Sequence, residues 1–343
     1  MDFTLSAEQQ MFAEAAASLF GDTCTPEHWR KMMAQGTAFD ADRWAKVVEN
    51  GFASLLLPES AGGLGLGELD FALIAQAAGY VALPEPLVES AGIAMPMLAA
   101  LAPGHALLAA PHTIVAIKPA ANPVVASADA ASAILLEKDG HAYLASCANV
   151  ELTPAETIDP LRRVFHVEWN PADAEDLGPA DWGLATDRAA VFFAAQGIGL
   201  AQRSVDLAVA YAKDRQQFGK PIGSYQAVKH HLASAQTAIE FARPVVLAAA
   251  ATVARGDIYA RARASHAKIA ALEAADQAAR AAIQVHGAMG YSWEVDVHLF
   301  LKRTLALTGS WGTPAFHRSR VAARLFTRPA GPDQTFAKDL TDA

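Results

Sequence analysis

Tyr211-Ala212-Lys213-Asp214-Arg215-Gln216-Gln217-Phe218-Gly219-Lys220-Pro221-Ile222-Gly223-Ser224-Tyr225-Gln226-Ala227-Val228-Lys229-His230 is the most informative run in this 343-residue sequence. A helical apolar period ends at Arg215. Phe218-Gly219, Pro221 and Gly223 then force a tight connection, and Ser224 is the expected N-cap of the next helix. An arginine beside a helix N-terminus suits a diphosphate, because the guanidinium forks onto the oxygens while backbone N–H groups and the helix dipole face them. On chemistry alone, a basic residue closing a helix C-terminus is the simpler reading of Arg215.

Outward from this run the chain is alanine-rich and helical from Trp182 to about Arg324. Amphipathic segments are expected at Leu184–Asp214, Ser224–Arg255, Tyr259–His286 and Val295 to about Leu307, with a kink at Pro244, which removes an intrahelical hydrogen bond. Each carries an apolar stripe that needs covering, so antiparallel packing as a bundle follows. Upstream, from Thr113 to Asn170, the period changes to two. Thr113–Ile117 and Pro123–Ala128 read as short strands, Ala133–Leu136 and His141–Leu144 as a hairpin turned by Asp139-Gly140, and Arg163–Trp169 as a further strand. This β region is expected to hold fewer than sixty residues. Before it, Ser6 to about Val81 has helical spacing, broken by the turn Leu57-Pro58-Glu59-Ser60-Ala61-Gly62-Gly63-Leu64-Gly65-Leu66, and Glu85 to about Ala110 adds another helical stretch. The expected fold is mainly α with a small β domain: a helical domain over 1–111, a reduced β domain over 112–180 and a four-helix bundle over 181–343.

Composition narrows the function. With 52% hydrophobic and 18% charged residues the chain can bury a sizeable core, and a net charge of −9 without a Lys/Arg block argues against nucleic acid or an anionic membrane as partner. Cys24 and Cys147 lack the spacing of a disulfide framework or a zinc site, so no metal is expected. The N-terminus has no signal-peptide character and no apolar run reaches the ~18 residues of a membrane span, so a cytoplasmic location is expected.

A second run, Gln284-Val285-His286-Gly287-Ala288-Met289-Gly290-Tyr291-Ser292-Trp293-Glu294, places small residues after a helix, where a backbone can approach a ligand closely or simply cap the helix. These two runs, the opening Phe3-Thr4-Leu5-Ser6-Ala7-Glu8-Gln9-Gln10 and the Pro58–Gly65 turn together resemble the acyl-CoA dehydrogenase family over most of the chain. The resemblance implies the order helices, β domain, helices, and an FAD whose adenosine diphosphate half is held by a neighbouring subunit. It assigns Arg215, Phe218 and Gln226 to the diphosphate and adenine side, Gln284 and Gly287 to the adenosine side, and Thr313 to the cofactor. Ala288 stands where the family usually has a second glycine.

The family's catalytic carboxylate takes the proton α to the thioester while the flavin takes hydride from the β carbon. In this sequence neither of its usual positions is acidic. Leu307-Thr308-Gly309-Ser310-Trp311-Gly312-Thr313 puts Trp311 at one, and alignment through Gly199-Leu200-Ala201-Gln202 puts Ala189 at the other. Gln196 stands where short relatives often have glutamate. Asp187 would reach the second position with a two-residue slip, and otherwise reads as a solvated helix start. Glu240 reads as structural, Glu294 as an interhelical ion pair, and His230, His231 and His286 as proton carriers by pKa or as polar surface and core-edge residues. The family's flavin-ring loop is not found in Ile117-Lys118-Pro119-Ala120-Ala121-Asn122-Pro123, while Asp159-Pro160-Leu161-Arg162-Arg163 resembles short family members or is a turn with two solvated arginines. The expected function is therefore a subunit of an FAD-dependent acyl-CoA dehydrogenase whose base comes from a homologous partner subunit in a heterotetramer, acting on a steroid or other bulky acyl-CoA and passing electrons to an electron-transfer flavoprotein. A self-sufficient homo-oligomer with a displaced base and a non-enzymatic CoA-binding or assembly module are the alternatives.

Overall fold

Ser6 opens the first helix of the computed structural model, which describes residues 4–110, 112–256 and 258–327. Its hydroxyl accepts the Gln9 N–H while the Gln9 side chain accepts the Ser6 N–H, a reciprocal cap that fixes the start of α1 (Ala7–Thr23). Phe3, part of the expected opening motif, lies outside the described residues. α2 (Pro26–Gln35), α3 (Ala41–Glu49) and α4 (Glu68–Tyr80) complete the first helical part. The stretch expected to continue as one helix from Glu85 is different: Val88–Ala94 is a π-helical turn that feeds α5 (Met95–Leu101). Pro96 explains the widening, since its ring cannot accept a normal helical turn behind it.

The β part holds β1 (Val115–Lys118), β2 (Val125–Ala126), β3 (Ala133–Lys138), β4 (His141–Ser146), β5 (Glu151–Ala155), β6 (Val164–Glu168) and β7 (Glu175–Pro179). They form two sheets, ordered β1-β3-β4-β7 and β2-β6-β5. Running from 115 to 179, the strands exceed the expected sixty residues, because β5 and β7 were not visible in the sequence pattern. The β3–β4 hairpin turns on Asp139 (φ 53°) and Gly140 (φ 79°), as the Asp-Gly pair requires. On β3, Ile134 and Leu136 face the second sheet with Val125 and Phe165, whereas Ala133 and Leu135 join the main helical core. Burial on both faces accounts for a strand that is apolar without alternation.

The remaining chain is a bundle of α6 (Trp182–Asp214), α7 (Gln226–Ala250), α8 (Ile258–His286), α9 (Val297–Gly309) and α10 (Pro314–Thr327), with a small hairpin, β8 (Gln216–Gln217) and β9 (Lys220–Pro221), between α6 and α7. α7 runs through Pro244. Gln226–Arg255 is the one helical stretch among the described residues long and apolar enough to cross a membrane, at a mean hydropathy of 1.4, but α7 packs on α6 and α8. Ser224 is not an N-cap. It sits in a 3₁₀ turn with its hydroxyl donating to the Pro221 carbonyl, and Tyr225 takes the N-cap position without a side-chain bond.

Two contacts fix the parts against one another. Gly79 on α4 and Gly199 on α6 face each other so closely that a Cβ on either would lie 2.1 Å from a backbone oxygen of the opposite helix. Arg303 on α9 pairs with the buried Asp159 of the β part, and donates to the Leu161 carbonyl (3.1 Å) and to the Leu83 carbonyl beyond α4 (2.8 Å).

Candidate functional site

The turn between α9 and α10 carries Trp311, and it forms one wall of a cleft of about 280 Å³ between the β part and the bundle. Facing walls come from Ile117, Asn122, Pro123 and Arg162. Trp311 is buried and adopts φ 54°, a left-handed conformation that costs a bulky residue free energy and persists only where its surroundings impose it. Its backbone N–H donates to Asn122 Oδ1 (3.2 Å), so the β-part segment without a recognisable ring loop still reaches this turn. The cleft carboxylates among the described residues are Glu156, exposed at its edge, and Glu89, which is paired with Arg162. Arg162 also reaches Ser310 Oγ (3.4 Å) and lies over the Phe193 ring (5.5 Å), so it is not a solvated turn residue. Glu89 sits on the π-helical turn, the irregularity that turns it toward the β part, and nothing in the sequence spacing signalled it.

The other acid candidates are elsewhere. Ala189 and Gln196 are buried on α6. Asp187 is completely buried rather than solvated, 2.5 Å from Arg320 on α10 and 3.8 Å from Arg261 on α8. Burial raises its carboxyl above the usual range against the opposing pull of the two arginines. Glu240 is exposed on α7, accepting from Gln236 (2.7 Å) and paired with Arg243 (3.8 Å). Glu294 is exposed, and the interhelical pair at its turn is made instead by Asp296 with Arg30 of α2 (2.5 Å). His230 and His231 are exposed on α7, while His286 is buried, stacked on Tyr211 (ring centroids 4.2 Å apart) and held below the usual histidine range by that burial. Two buried groups beside the Trp311 turn escaped the sequence pattern altogether. Burial and the charge of Arg162 lower Lys268 to about 7, and burial with the charge of Lys268 lowers His317 to about 3.

The predicted nucleotide residues gather at one end of the bundle. Arg215 caps α6, Phe218 is 93% exposed at the tip of the β8–β9 hairpin, and Gln226 is the first residue of α7. The Arg215 carbonyl accepts the Ile222 N–H (2.8 Å), which folds Arg215 back toward the α7 N-terminus. Gln284 and Gly287 are exposed at the end of α8, and the Tyr211–His286 stack brings that end against the end of α6. Arg215 has no ion-pair partner among the described residues, the α7 N-terminus has no side-chain cap, and a Cβ at Gly287 would meet open space. Together these fit the diphosphate and adenosine of a dinucleotide. Thr313 lies elsewhere, exposed at the start of α10, where its Oγ accepts the Phe316 N–H (3.3 Å). Lys268, beside the Trp311–Thr313 turn, is sixteen residues from Gln284 on α8, so the cleft and the nucleotide end are about 24 Å apart along that helix.

This chain belongs to the acyl-CoA dehydrogenase family: residues 6–105 match the family's N-terminal domain and residues 180–326 its C-terminal domain. FAD is the cofactor of that family. Among individual proteins it is 36% identical to the acyl-CoA dehydrogenase IpdE2 of Mycobacterium tuberculosis over 86% of this chain and 90% of that one, and 35% identical to the IpdE2 of Mycolicibacterium smegmatis over 94% and 100%. A chain of the ChsE4-ChsE5 complex from Mycobacterium tuberculosis superposes with a TM-score of 0.86 at 26% identity, covering 96% of this chain and 100% of that one.

Proposed function

We propose that this chain is the base-lacking subunit of a heteromeric FAD-dependent acyl-CoA dehydrogenase, with domains at 1–111, 112–180 and 181–343. One observation carries the reading: the turn that would present a base holds a buried tryptophan side chain, and its backbone N–H is tied to Asn122. The buried carboxylate of the cleft is bound to Arg162, and Asp187 is turned away into the bundle between two arginines. Among the described residues the other cleft carboxylate, Glu156, is exposed to solvent at the edge, and no buried, unpaired carboxylate lines the cleft to take a proton from a thioester α carbon, so we assign the base to a partner subunit. The family resemblance supports a shared site, in which the nucleotide end of one molecule, about 24 Å from its own cleft along α8, meets the cofactor of its neighbour.

When bound, FAD supplies the hydride acceptor for the β carbon of the acyl group. The contribution of this chain is binding: the Arg215 guanidinium and the uncapped α7 N-terminus hold the diphosphate, Phe218 and Gln226 the adenine side, Gln284 and Gly287 the adenosine, and Thr313 the cofactor at the cleft end. The substrate class is a bulky acyl-CoA such as one carrying a steroid side chain, electrons leave to an electron-transfer flavoprotein, and the assembly is cytoplasmic. The IpdE2 relatives support the dehydrogenase activity, and the likeness to a chain of the two-component ChsE4-ChsE5 complex supports a heteromer over a self-sufficient homo-oligomer. The test compares flavin absorbance and acyl-CoA turnover for the chain alone and co-expressed with a homologous dehydrogenase subunit. Activity only in the mixture is expected. Full turnover by the isolated chain would overturn the reading, and absence of flavin even from the mixture would leave an assembly module.

A further inference from the structure

Three consecutive carbonyls of the α9–α10 turn are captured by side chains from inside the bundle. Lys268 Nζ donates to the Ser310 carbonyl and to that of Gly312 (3.0 Å), and His317 Nε2 lies 3.1 Å from the Trp311 carbonyl. Behind His317 a buried chain continues. Its Nδ1 is 3.1 Å from Ser265 Oγ, Arg320 Nη1 donates to that same oxygen (3.3 Å), and Arg320 Nη2 pairs with Asp187 (2.5 Å). The donors run in one direction. The Trp311 carbonyl can only accept, so a neutral His317 carries its ring proton on Nε2, and its bare Nδ1 then accepts from Ser265 Oγ–H, which itself accepts from Arg320. The low basicity of His317 agrees with a neutral ring fixed in that tautomer.

Such a set is expensive to bury, and Asp187, Ser265, Lys268 and His317 are each no more than 2% exposed. What it holds is strained: Trp311 at φ 54° is followed by Gly312 at φ 103°, two left-handed residues in succession. The same turn carries Thr313. We propose that Lys268 and the chain Asp187–Arg320–Ser265–His317 are positioning residues that hold the Ser310–Gly312 turn in its left-handed form and thereby set Thr313 against the cofactor. The proposal rests on the reading that Thr313 meets FAD. It gives Asp187 a role other than the base that its sequence position suggested.

The test measures FAD affinity, by flavin fluorescence, and ¹⁵N-histidine spectra on the full chain co-expressed with its partner subunit. Ser265→Ala interrupts the chain without removing a charge, and is expected to weaken FAD binding about fivefold, the loss of one neutral hydrogen bond. It should also scramble a His317 spectrum that in the unmodified protein shows a single neutral Nε2–H ring. His317→Gln, which keeps a donor for Trp311, should retain most of the affinity; if Ser265→Ala fails to fold, His317→Phe against His317→Gln makes the same comparison. Unchanged affinity in Ser265→Ala alongside weakened binding in Thr313→Ala overturns the positioning role. Unchanged affinity in Thr313→Ala overturns instead the reading that this residue meets the cofactor, and the proposal with it. A His317 ring protonated on Nδ1 overturns the assigned direction of the chain.

Discussion

Replacing Gly199 by alanine tests the packing on which both ends of the bundle depend. The added methyl would lie 2.1 Å from the Gln76 carbonyl oxygen, 2.5 Å from the Tyr80 nitrogen and 2.9 Å from the Gly79 carbonyl carbon. All three are backbone atoms, so no side-chain rotation relieves the contact, and α4 and α6 must part by more than 1 Å. Parting them loosens the Tyr80–Asp206 bond (2.8 Å) and the Arg188–Glu68 pair (2.8 Å), both of which bridge the two helices. Overpacking of this kind costs about 1–3 kcal/mol, and a rigid backbone on the far side puts this site at or above the upper end. Alanine returns up to about 1 kcal/mol through its helical preference. A net loss of roughly 2 kcal/mol or more lowers the melting temperature by about 3 °C or more, because the unfolding entropy grows with chain length. Gly21, exposed on α1 with open space around its Cβ position, is the matched control, and Gly21→Ala should leave the melt unchanged or raise it slightly. A Gly199→Ala protein melting within 1 °C of the parent would refute the close backbone approach.

Arg215→Ala removes a charge-assisted contact of about 1.5–3 kcal/mol and should weaken FAD binding roughly 10- to 100-fold in fluorescence titrations, while Trp311→Ala leaves it largely intact. Arg303→Met strands the buried Asp159 carboxylate between three parts of the fold, with an expected loss of about 3–5 kcal/mol in urea unfolding. Lys268 gives a pH signature. Its folded value of about 7 lies below the usual 10.5, so the unfolded chain binds more protons between those values and stability rises with pH across that window, by at most about 1.4 kcal/mol per unit. Below pH 7 the burial cost is fully present and flat. Lys268→Met should abolish that slope in urea midpoints between pH 7.5 and 9.5, and an identical slope in both proteins would show that Lys268 is not a buried, weakly basic amine.

The helices were legible because alanine-rich amphipathic segments repeat at 3.6 residues, and the β3–β4 hairpin because Asp139-Gly140 announces its turn. β5 and β7 were not. Each is an edge strand, β5 carrying Pro154 and an exposed pattern and β7 reading Glu-Asp-Leu-Gly-Pro, so neither shows the alternation that a half-buried strand imposes. The π-helical turn looked like ordinary helix because Val88–Ala94 is mostly apolar, and widening one turn by a residue leaves no mark on the composition. In the candidate site, the residues at the nucleotide end were legible as a contiguous motif. The Lys268–His317 set was not, because its members come from α8 and α10 and meet only when the bundle closes. Asp187 was noticed for its place in the sequence, yet its surroundings, two arginines from distant helices, decide what it does.

The distance along α8 between the Trp311 turn and Gln284 has a consequence for how the proposed assembly behaves in dilute solution. A flavin spanning two molecules makes retention of the cofactor and retention of a neighbour a single equilibrium, so each is linked to the concentration of the other. Diluted protein should shed yellow colour and mass together, added FAD should drive reassembly, and the melting temperature should climb with protein concentration as well as with flavin.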